Sequence, residues 1–343
     1  MLTDLRTRLR PRLADGYQAL TKEWTGEHLA DLPAIAAAYQ HYAAGDRNLN
    51  RPLLALVGYG AHHDRLEPDL YHDCGPLVFV PQLVRDFLAI HDDIVDGDLV
   101  KFDRPTLPAS IGPEAALFTA DLLLGVIGDL IDQADTCART KARLHRLVAT
   151  VLRRTQQGQL AELALTDRDP ATIPADALVR LYADKAAAYC YSFPFEFGVA
   201  ATGHGCGDAA AVRRALEDIG TASQIVDDLA GNLPGGPKAT PGEVLRLRRT
   251  VLLTQLAVRL DPADPLGTVL RGHRATPEQA AAIGEAFTTA GAASATAAIA
   301  VQLARAAEAQ LSTLPLGKAA LEYLYDLVRA RISDALAPWV PGQ

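Results

Sequence analysis

The segment HDDIVDGD, at residues 91–98, carries four carboxylates within eight residues: Asp92, Asp93, Asp96 and Asp98. The stretch before it, QLVRDFLAI, is mostly apolar, so the acids stand at the end of a segment that we expect to be a buried helix. An ionised carboxylate is very costly to bury without a partner. These acids must therefore face either water or a cavity that supplies compensating cations.

A second apolar segment, TASQIVDDLAGN, ends in the same way and carries Gln224, Asp227 and Asp228. Residues i and i+4 of a helix share a face, so Asp92 and Asp96 are expected to point the same way. Two buried helices that each end in adjacent aspartates are expected to face one another across the mouth of a cavity. Carboxylate oxygens collected there suit Mg²⁺, which completes its shell with water and substrate phosphates.

Composition narrows the class of protein. The 343 residues are 49% hydrophobic and only 6% aromatic, and a chain rich in Ala and Leu favours helix. The formal net charge of −8 disfavours nucleic acid as a partner. The four cysteines have neither zinc-site nor disulfide spacing, and the charged N-terminal residues do not resemble a signal peptide. No apolar run reaches the ~18 residues that span a bilayer, so we expect a cytoplasmic protein without a transmembrane segment.

Helical periodicity recurs along the chain, and alternating strand patterns are absent. We expect helices near 3–24, 31–44, 51–64, 78–98, 113–134, 138–166, 174–203, 208–230, 242–260, 276–311 and 316–337. The segments 78–90 and 115–131 are apolar on nearly every side, which is typical of helices inside a bundle. The pattern predicts a single large all-α helical bundle that spans residues 1–343 as one domain.

At these motifs the sequence resembles the trans-isoprenyl diphosphate synthases, also called polyprenyl synthetases, from about residue 45 to residue 250. The family's first aspartate motif, DDxxD, is complete as Asp92, Asp93 and Asp96, and QIVDDLAGN is similar to the second motif. YADKAAAYCYSFP resembles the segment with a phosphate-binding lysine, here Lys185. GQLAE resembles a segment whose acid, here Glu162, lies close to that lysine.

The resemblance implies the isoprenoid synthase fold, with a central cavity, and a prenyltransferase that uses on the order of three Mg²⁺ ions. The implied metal ligands are Asp92, Asp93, Asp96, Asp227 and Asp228. Catalysis is assigned by the resemblance to Asp92, Asp93, Asp96, Lys185 and Asp227. The implied cations that would neutralise the departing pyrophosphate are Lys101, Lys185, Lys238 and Arg248. Gln224 is an uncharged member of the same substrate-binding set.

The resemblance also bears on substrate size. Phe87 precedes Asp92 by five residues, which places it about one and a quarter helical turns deeper on the same helix. A ring there is expected to floor the cavity and to limit the allylic diphosphate to on the order of C10 to C20, as in the family. A homodimer is likewise expected only from the family.

The acceptor side departs from the family pattern. Members that bind isopentenyl diphosphate hold it with a Gly-Gly-Lys-x-x-Arg stretch, a His or Gln seven residues before the first Asp, and a second Arg after the first motif. Here GDRNLNRP keeps Arg51 but has Asn48 in place of the Lys. Arg85 replaces the His or Gln, and Phe102, after Lys101, replaces the second Arg. Losing one charge-assisted partner costs about 1.5–3 kcal/mol, so we expect a weakened or reshaped site.

Two interpretations of Arg85 stay open. Its planar guanidinium either binds a phosphate or carboxylate of the acceptor, or pairs with Asp86 or another acid on a surface face. The second aspartate motif is also incomplete, because Gly231 stands where the family has a third Asp. In addition, the family's Lys-Thr pair is replaced by Lys185 and Ala186. Asp227 and Asp228 remain to bind metal on that side.

Three functions compete. A prenyltransferase would ionise the allylic diphosphate and condense it with isopentenyl diphosphate or a modified acceptor, and the retained Arg51 and Lys101 favour it. A class I terpene cyclase would act on the allylic diphosphate alone, and the altered acceptor site favours it. A non-catalytic partner subunit would have no need of the aspartates of the first motif, Asp92, Asp93 and Asp96, or of Lys185.

Overall fold

The structure, a computed structural model, describes residues 2–22, 24, 32–46, 48–62, 74–204, 208–233, 244–261, 263–337 and 339. The described residues are mostly helical, which confirms the all-α prediction. The first helices are α1 (Leu2–Thr21), α2 (Leu32–Ala43), α3 (Asn50–Tyr59), α4 (Val80–Asp96), α5 (Leu107–Ile111), α6 (Pro113–Gln133) and α7 (Ala138–Leu165). A short 3₁₀ helix, Gly75–Phe79, precedes α4.

The second half of the chain continues in the same way. The helices are α8 (Ala175–Tyr182), α9 (Phe193–Ala201), α10 (Ala209–Asn232), α11 (Val251–Ala257), α12 (Pro265–Leu270), α13 (Pro277–Thr289), α14 (Ala292–Leu311), α15 (Lys318–Val328) and α16 (Asp334–Leu336). A 3₁₀ helix spans Pro170–Thr172, and π-helices span Ala183–Ser192 and Arg329–Ser333. Within the described ranges no single helix is long and apolar enough to cross a bilayer, although α13 and α14 pass that test as a bent pair.

Four predicted helices differ from the structure. The segment 276–311 is two helices that meet at 61°, because Gly291 adopts a left-handed φ of 72° between them. The segments 174–203 and 316–337 contain the π-helices Ala183–Ser192 and Arg329–Ser333. In the described part of the segment 242–260, residues 244–245 and α11 are helical, and residues 246–250 between them are not. Periodicity locates helices well but does not detect a change of helix type or a single-residue break.

Contacts between Cα atoms divide the chain into two compact units, each assembled from separate stretches. The first unit comprises Met1–Leu152, Phe193–Gly207 and Leu316–Tyr323, and the second comprises Arg153–Ser192, Asp208–Pro315 and Leu324–Gln343. The interpretation of residues 1–343 as a single domain stays a prediction.

In the first unit, α4 is buried along its length from Val80 to Ile90, as its apolar sequence predicts. Helices α3 and α9 cross at very short range, because a Cβ atom added at Gly198 would lie 1.9 Å from the Ala55 carbonyl oxygen. Gly58 has the same role, since a Cβ there would lie 2.1 Å from the Phe195 oxygen. Glycine is needed where two backbones approach this closely.

Helix α6 corrects the expectation that the segment 115–131 is enclosed on every side. It packs one face in the first unit, with Ala116, Ala120 and Leu123 fully buried. Its other face exposes Leu117, Phe118, Leu122 and Leu124, and Phe118 is 70% exposed. Hydrophobicity alone does not distinguish a face buried within the chain from one left uncovered in it.

A two-stranded antiparallel hairpin, which the sequence pattern did not predict, follows α4. Strand β1 (Val100–Lys101) pairs with strand β2 (Arg104–Pro105). Its two turn residues, Phe102 and Asp103, both adopt left-handed φ values, of 54° and 60°. Such φ angles are typical of the tight turn of a two-residue hairpin. Four strand residues are too few to produce a recognisable alternation.

In the second unit, α10 packs against α14 and against the π-helix Ala183–Ser192. The contact with the π-helix is tight at Gly220, where an added Cβ atom would lie 2.6 Å from the Ala187 Cβ and 2.7 Å from the Tyr191 ring. The absence of a side chain at Gly220 therefore sets the spacing of α10 and the π-helix.

We expect Gly220→Ala to destabilise the chain by about 1–3 kcal/mol, because the new methyl group overpacks this contact. Urea unfolding measures the change. Gly16→Ala is the control, since its Cβ would meet Phe79 at an ordinary 3.6 Å and helix propensity favours alanine. Equal stability of the two variants would contradict the tight packing of α10.

Candidate active site

The first acidic set lies at the C-terminal end of α4. The helix ends at Asp96 because Gly97 adopts a left-handed φ of 65° and donates its N–H to the helix carbonyls of Asp93 and Ile94. The Asp98 N–H also donates to the backbone carbonyl oxygen of Asp93, at 3.0 Å. Asp92 and Asp96 are half-buried, whereas Asp93 is fully buried. The end of α4 thus presents two partly exposed carboxylates one helical turn apart.

Asp93 has a supporting arrangement that the sequence did not reveal. Its Oδ2 accepts a hydrogen bond from the Tyr42 hydroxyl at 2.9 Å, and its Oδ1 accepts one from Lys101 Nζ at 2.6 Å. Burial raises the pKa of Asp93 above its usual range, and the Lys101 ammonium opposes that rise. Asp93 thereby holds Lys101 beside the first acidic set, and its predicted role as a metal ligand stays a prediction.

The hairpin that carries Lys101 is fixed to the end of α4. The Thr106 hydroxyl donates to the backbone carbonyl oxygen of Asp98 at 2.6 Å. The same hydroxyl accepts a hydrogen bond from the Ala109 N–H and so caps α5. Strand pairing then sets Lys101 opposite Arg104. The position of this cation is therefore determined by backbone structure as well as by its ion pair.

The second acidic set lies in the last two turns of α10. Asp227 is half-buried. Asp228 Oδ1 accepts a hydrogen bond from Gln224 Nε2 at 3.1 Å, and Asp228 Oδ2 accepts one from the Tyr182 hydroxyl. That hydroxyl also accepts from the Val251 N–H at 3.2 Å. Burial, with Asp228 beside it, raises the pKa of Tyr182 well above its usual value, so it stays a donor.

Lys185 lies in the π-helix and forms an ion pair with Glu162 of α7, which confirms the predicted proximity of these two residues. The π-helix and α7 approach closely at this point, since a Cβ added at Gly158 would lie 3.0 Å from the Lys185 nitrogen. π-helical turns are rare and frequently occur at functional sites. The structure thus fixes this lysine through both its backbone and its side chain.

The acceptor-side arginines belong to one buried polar cluster in the first unit. Arg85 is only 3% exposed, and its Nη1 donates to Asp86 Oδ1 at 2.9 Å. Arg51 Nη1 lies 3.4 Å from Asp46 Oδ2, and Gln82 Nε2 donates to the carboxylates of both Asp46 and Asp86. Of the two open interpretations of Arg85, pairing with Asp86 is confirmed, but in the interior rather than on a surface face.

Sequence reasoning missed the polar groups that hold these arginines. Asp46 stands in the GDRNLNRP stretch, two residues before Asn48, where the family pattern has Gly. Tyr17 and Tyr39 both donate their hydroxyl hydrogens to Asp86 Oδ2, at 2.6 and 3.0 Å. The acid at residue 46 was a visible signal, whereas the tyrosines come from helices distant in sequence.

Three predicted residues remain to be located: Phe87, Arg248 and Lys238. Phe87 is buried, and its ring centroid lies 4.4 Å from that of His91. Arg248 is half-buried in a non-helical segment just before α11. Lys238 lies outside the described residues. The predicted roles of these three residues, and the expectation that the two acidic sets face one another, stay predictions.

The donor chemistry of the acidic sets fits Mg²⁺. Among the described residues, no group of three or more His, Cys, Asp or Glu side chains is arranged to hold a metal by itself. Mg²⁺ is commonly bound through one or two carboxylates, with water and substrate phosphates completing its shell. The half-buried carboxylates of Asp92, Asp96 and Asp227 meet that requirement.

The sequence of the chain is similar to those of known proteins. The polyprenyl synthetase family matches residues 32–240. A (2E,6E)-farnesyl diphosphate synthase of Mycobacterium bovis is 30% identical over 205 residues, which are 58% of this chain and 54% of that protein. A geranylgeranyl diphosphate synthase of Mycobacterium tuberculosis is 30% identical over 172 residues, 49% of this chain and 47% of that protein. The chain matches about half the length of these curated relatives.

Solved structures agree over nearly the whole chain. A geranylgeranyl pyrophosphate synthase from Corynebacterium glutamicum, complexed with isoprenyl diphosphate and magnesium, has a TM-score of 0.82 at 23% identity and covers 97% of this chain and 99% of its own. A polyprenyl synthase from Caulobacter crescentus, complexed with calcium and isoprenyl diphosphate, has a TM-score of 0.78 at 19% identity, with 96% and 97% covered. These similarities confirm the predicted fold.

Proposed function

Because the chain belongs to the polyprenyl synthetase family, we propose that it is a Mg²⁺-dependent prenyltransferase that ionises a short allylic diphosphate, on the order of C10 to C20, and joins it to an acceptor. The observation that carries the proposal is the end of α4, where Asp92 and Asp96 are half-buried one turn apart and Asp93 holds Lys101. The Corynebacterium and Caulobacter structures, each complexed with isoprenyl diphosphate and a divalent metal, support it.

Different residues of the chain would bind the metal ions and stabilise the leaving pyrophosphate during ionisation. Asp92, Asp96 and Asp227 would hold the metal ions, and Gln224 and Tyr182 orient Asp228 beside Asp227. Mg²⁺, when bound, supplies a Lewis acid that stabilises charge on the departing pyrophosphate. Lys101 and Lys185 add fixed positive charge, and each is held by an acid, so little reorganisation is needed as the leaving-group charge develops.

The apolar part of the site protects the allylic cation. Phe87 lies on α4 one and a quarter turns before Asp92, and the residues from Val80 to Ile90 are all buried. A buried ring at this depth excludes water from the prenyl chain and limits its length. The curated relatives are named as synthases of prenyl diphosphates, which does not favour the alternative of a terpene cyclase.

The test uses farnesyl S-thiolodiphosphate, an analogue that is not ionised, titrated into the purified chain by calorimetry. We expect binding with Mg²⁺ and at least tenfold weaker binding after EDTA treatment. Pyrophosphate release from geranyl, farnesyl and geranylgeranyl diphosphate, each with and without isopentenyl diphosphate, then shows which chain length the protein accepts. Analogue binding that is absent, or the same with and without metal, would contradict the proposal.

We propose in addition that two copies of the chain associate through the exposed face of α6. Phe118, Leu122 and Gly125 have i, i+4, i+7 spacing and share this face, beside Leu117 and Gly128. Cβ atoms added at Gly125 or Gly128 would meet no atom within 4 Å, so a second helix has room to approach closely. A contiguous apolar face of this kind marks an interaction surface.

We expect Phe118→Asp to convert a dimer into a monomer, measured by light scattering after size exclusion. An aspartate buried at the centre of the interface has no partner, and its desolvation opposes association. Val258→Asp is the control, because Val258 is also exposed but lies outside α6. A wild-type chain that is monomeric at micromolar concentration would contradict this assembly.

A further inference from the structure

We propose that, granted the prenyl transfer proposed above, the acceptor of this chain is an apolar π-nucleophile that carries no diphosphate. The inference rests on the cluster of Asp46, Arg51, Gln82, Arg85 and Asp86. This cluster occupies the sequence positions at which the family resemblance places the acceptor diphosphate. Its side chains form ion pairs and hydrogen bonds with one another, and that arrangement opposes the binding of an anion.

Arg85 is enclosed on several sides. Its Nη1 donates to Asp86, and the guanidinium carbon lies 5.7 Å from the ring centroid of Tyr42 and 5.4 Å from that of Phe102. Rings at this range attract a guanidinium through their π-faces. The side chain is 3% exposed, so a diphosphate would have to displace one of these partners to reach it.

Asp86 cannot release Arg85 without a large penalty. The carboxylate is fully buried, and it accepts from Tyr17, Tyr39, Gln82 and Arg85, all of them donors. Burial raises the pKa of Asp86, and the Arg85 guanidinium and the hydrogen-bond donors around the carboxylate oppose that rise. Moving Arg85 toward a ligand would leave that buried charge without its cation, which is strongly unfavourable.

Asp46 neutralises the second arginine. It is 4% exposed, accepts from the Asn48 N–H at 3.1 Å and lies 3.4 Å from Arg51 Nη1. Burial acts to raise the pKa of Asp46, but Arg85 and Arg51 outweigh that effect and lower it. The two arginines and the two carboxylates, Asp46 and Asp86, thus have formal charges that sum to zero.

A diphosphate brings about three negative charges and requires several charge-assisted donors. Here it would approach the buried carboxylate of Asp46, while the two cations that the family places at residues 48 and 102 are replaced by Asn48 and Phe102. Among the described residues, Lys101 pairs with Asp93 beside the first acidic set, Arg6 Nε donates to the Asn48 carbonyl oxygen at 3.1 Å, and Arg104 Nη1 donates to the His41 carbonyl oxygen at 2.9 Å. The two replaced cations and the buried carboxylates therefore disfavour isopentenyl diphosphate.

The replacement at residue 102 also indicates what kind of molecule binds instead. Phe102 is 41% exposed at the hairpin turn, and its neighbours Leu99 and Val100 are still more exposed. An apolar ring stands where the family has a cation for phosphate, so the surface offered to the acceptor is apolar. An uncharged alkene or aromatic ring satisfies this surface and leaves the ion pairs of the cluster intact.

Transfer to such an acceptor breaks one carbon–oxygen bond and forms one carbon–carbon bond. The bond between C1 of the allylic substrate and the diphosphate oxygen breaks, and its electron pair leaves with pyrophosphate. The π-electrons of the acceptor form a new carbon–carbon bond to C1. The resulting cation then loses a proton from a carbon of the former acceptor, and pyrophosphate takes up that proton. No oxidant or reductant is required.

The decisive experiment compares isopentenyl diphosphate with isopentenyl alcohol, the same alkene without the diphosphate. Binding of each is measured by calorimetry on the full chain saturated with Mg²⁺ and farnesyl S-thiolodiphosphate. We expect the wild type to bind the diphosphate no more tightly than the alcohol. The variant Asn48→Lys with Phe102→Arg restores two cations and is expected to bind the diphosphate at least about tenfold more tightly than the wild type does.

Circular dichroism establishes that the variant is folded, and Asn48→Lys alone serves if the double variant is not. Wild-type binding of isopentenyl diphosphate that is measurably tighter than binding of the alcohol would overturn the inference and leave the proposed prenyl transfer intact. Failure of the thiolodiphosphate to bind with Mg²⁺ would instead contradict the proposed function itself. The two failures are therefore distinguishable.

Discussion

Asp92→Asn is expected to lower kcat by about 10³-fold, because an amide removes the negative charge with which this residue would bind metal. Asparagine has nearly the same shape as aspartate, and Asp92 is half-buried at the end of α4 rather than packed in the interior. We therefore expect little change in the free energy of unfolding. The measurement is pyrophosphate release from the allylic diphosphate, with urea unfolding in parallel.

Asp176→Asn is the matched control for this prediction. Asp176 is exposed on α8 and pairs with Arg180 at i,i+4, and an exposed ion pair of this kind contributes little to stability. Its substitution makes the same chemical change at a distance in sequence from both aspartate motifs. Wild-type turnover by Asp92→Asn, or an equal loss in the control, would show that the end of α4 is not the metal site.

Arg85→Met is expected to destabilise the chain by about 3–5 kcal/mol, which is typical when one partner of a buried ion pair is removed. Methionine fills much of the volume, but Asp86 is then left buried with only neutral hydrogen-bond donors. Asp46 also loses the guanidinium that contributes most to lowering its pKa. The measurement is the midpoint and slope of urea unfolding.

Arg180→Met provides the comparison on the protein surface. It removes the same kind of side chain from the Asp176 pair, which is about two-thirds exposed on both partners. We expect a change within about 0.5 kcal/mol. If Arg85→Met were as mild as this control, Arg85 would not be bound to buried carboxylates, and the acceptor-side inference would lose its main support.

The sequence was sufficient to predict the parts that depend on local pattern. The helices α4 and α10 each end at an aspartate set, and the positions of Lys185 and Glu162 as neighbours are confirmed. The all-α fold followed from periodicity and composition. These features depend on spacing along one segment, or on a resemblance that covers several motifs in order.

The parts that were missed depend on contacts between distant segments. Asp86 collects donors from α1, α2 and α4, and no spacing within α4 reveals Tyr17 or Tyr39 as partners. The exposed face of α6 was mistaken for core because Leu117 and Phe118 are as apolar as buried residues. The hairpin at Lys101 is too short to leave a periodic signal.

A crystal structure of the chain with Mg²⁺ and farnesyl S-thiolodiphosphate tests the proposed metal site most directly. We expect a metal ion bound by carboxylate oxygens of Asp92 and Asp96 and by a phosphate oxygen of the analogue. Lys101 is predicted to remain against Asp93, and Asp227 is predicted to bind metal as well. A diphosphate bound elsewhere, with Asp92 and Asp96 coordinating no metal, would contradict a metal site at the end of α4.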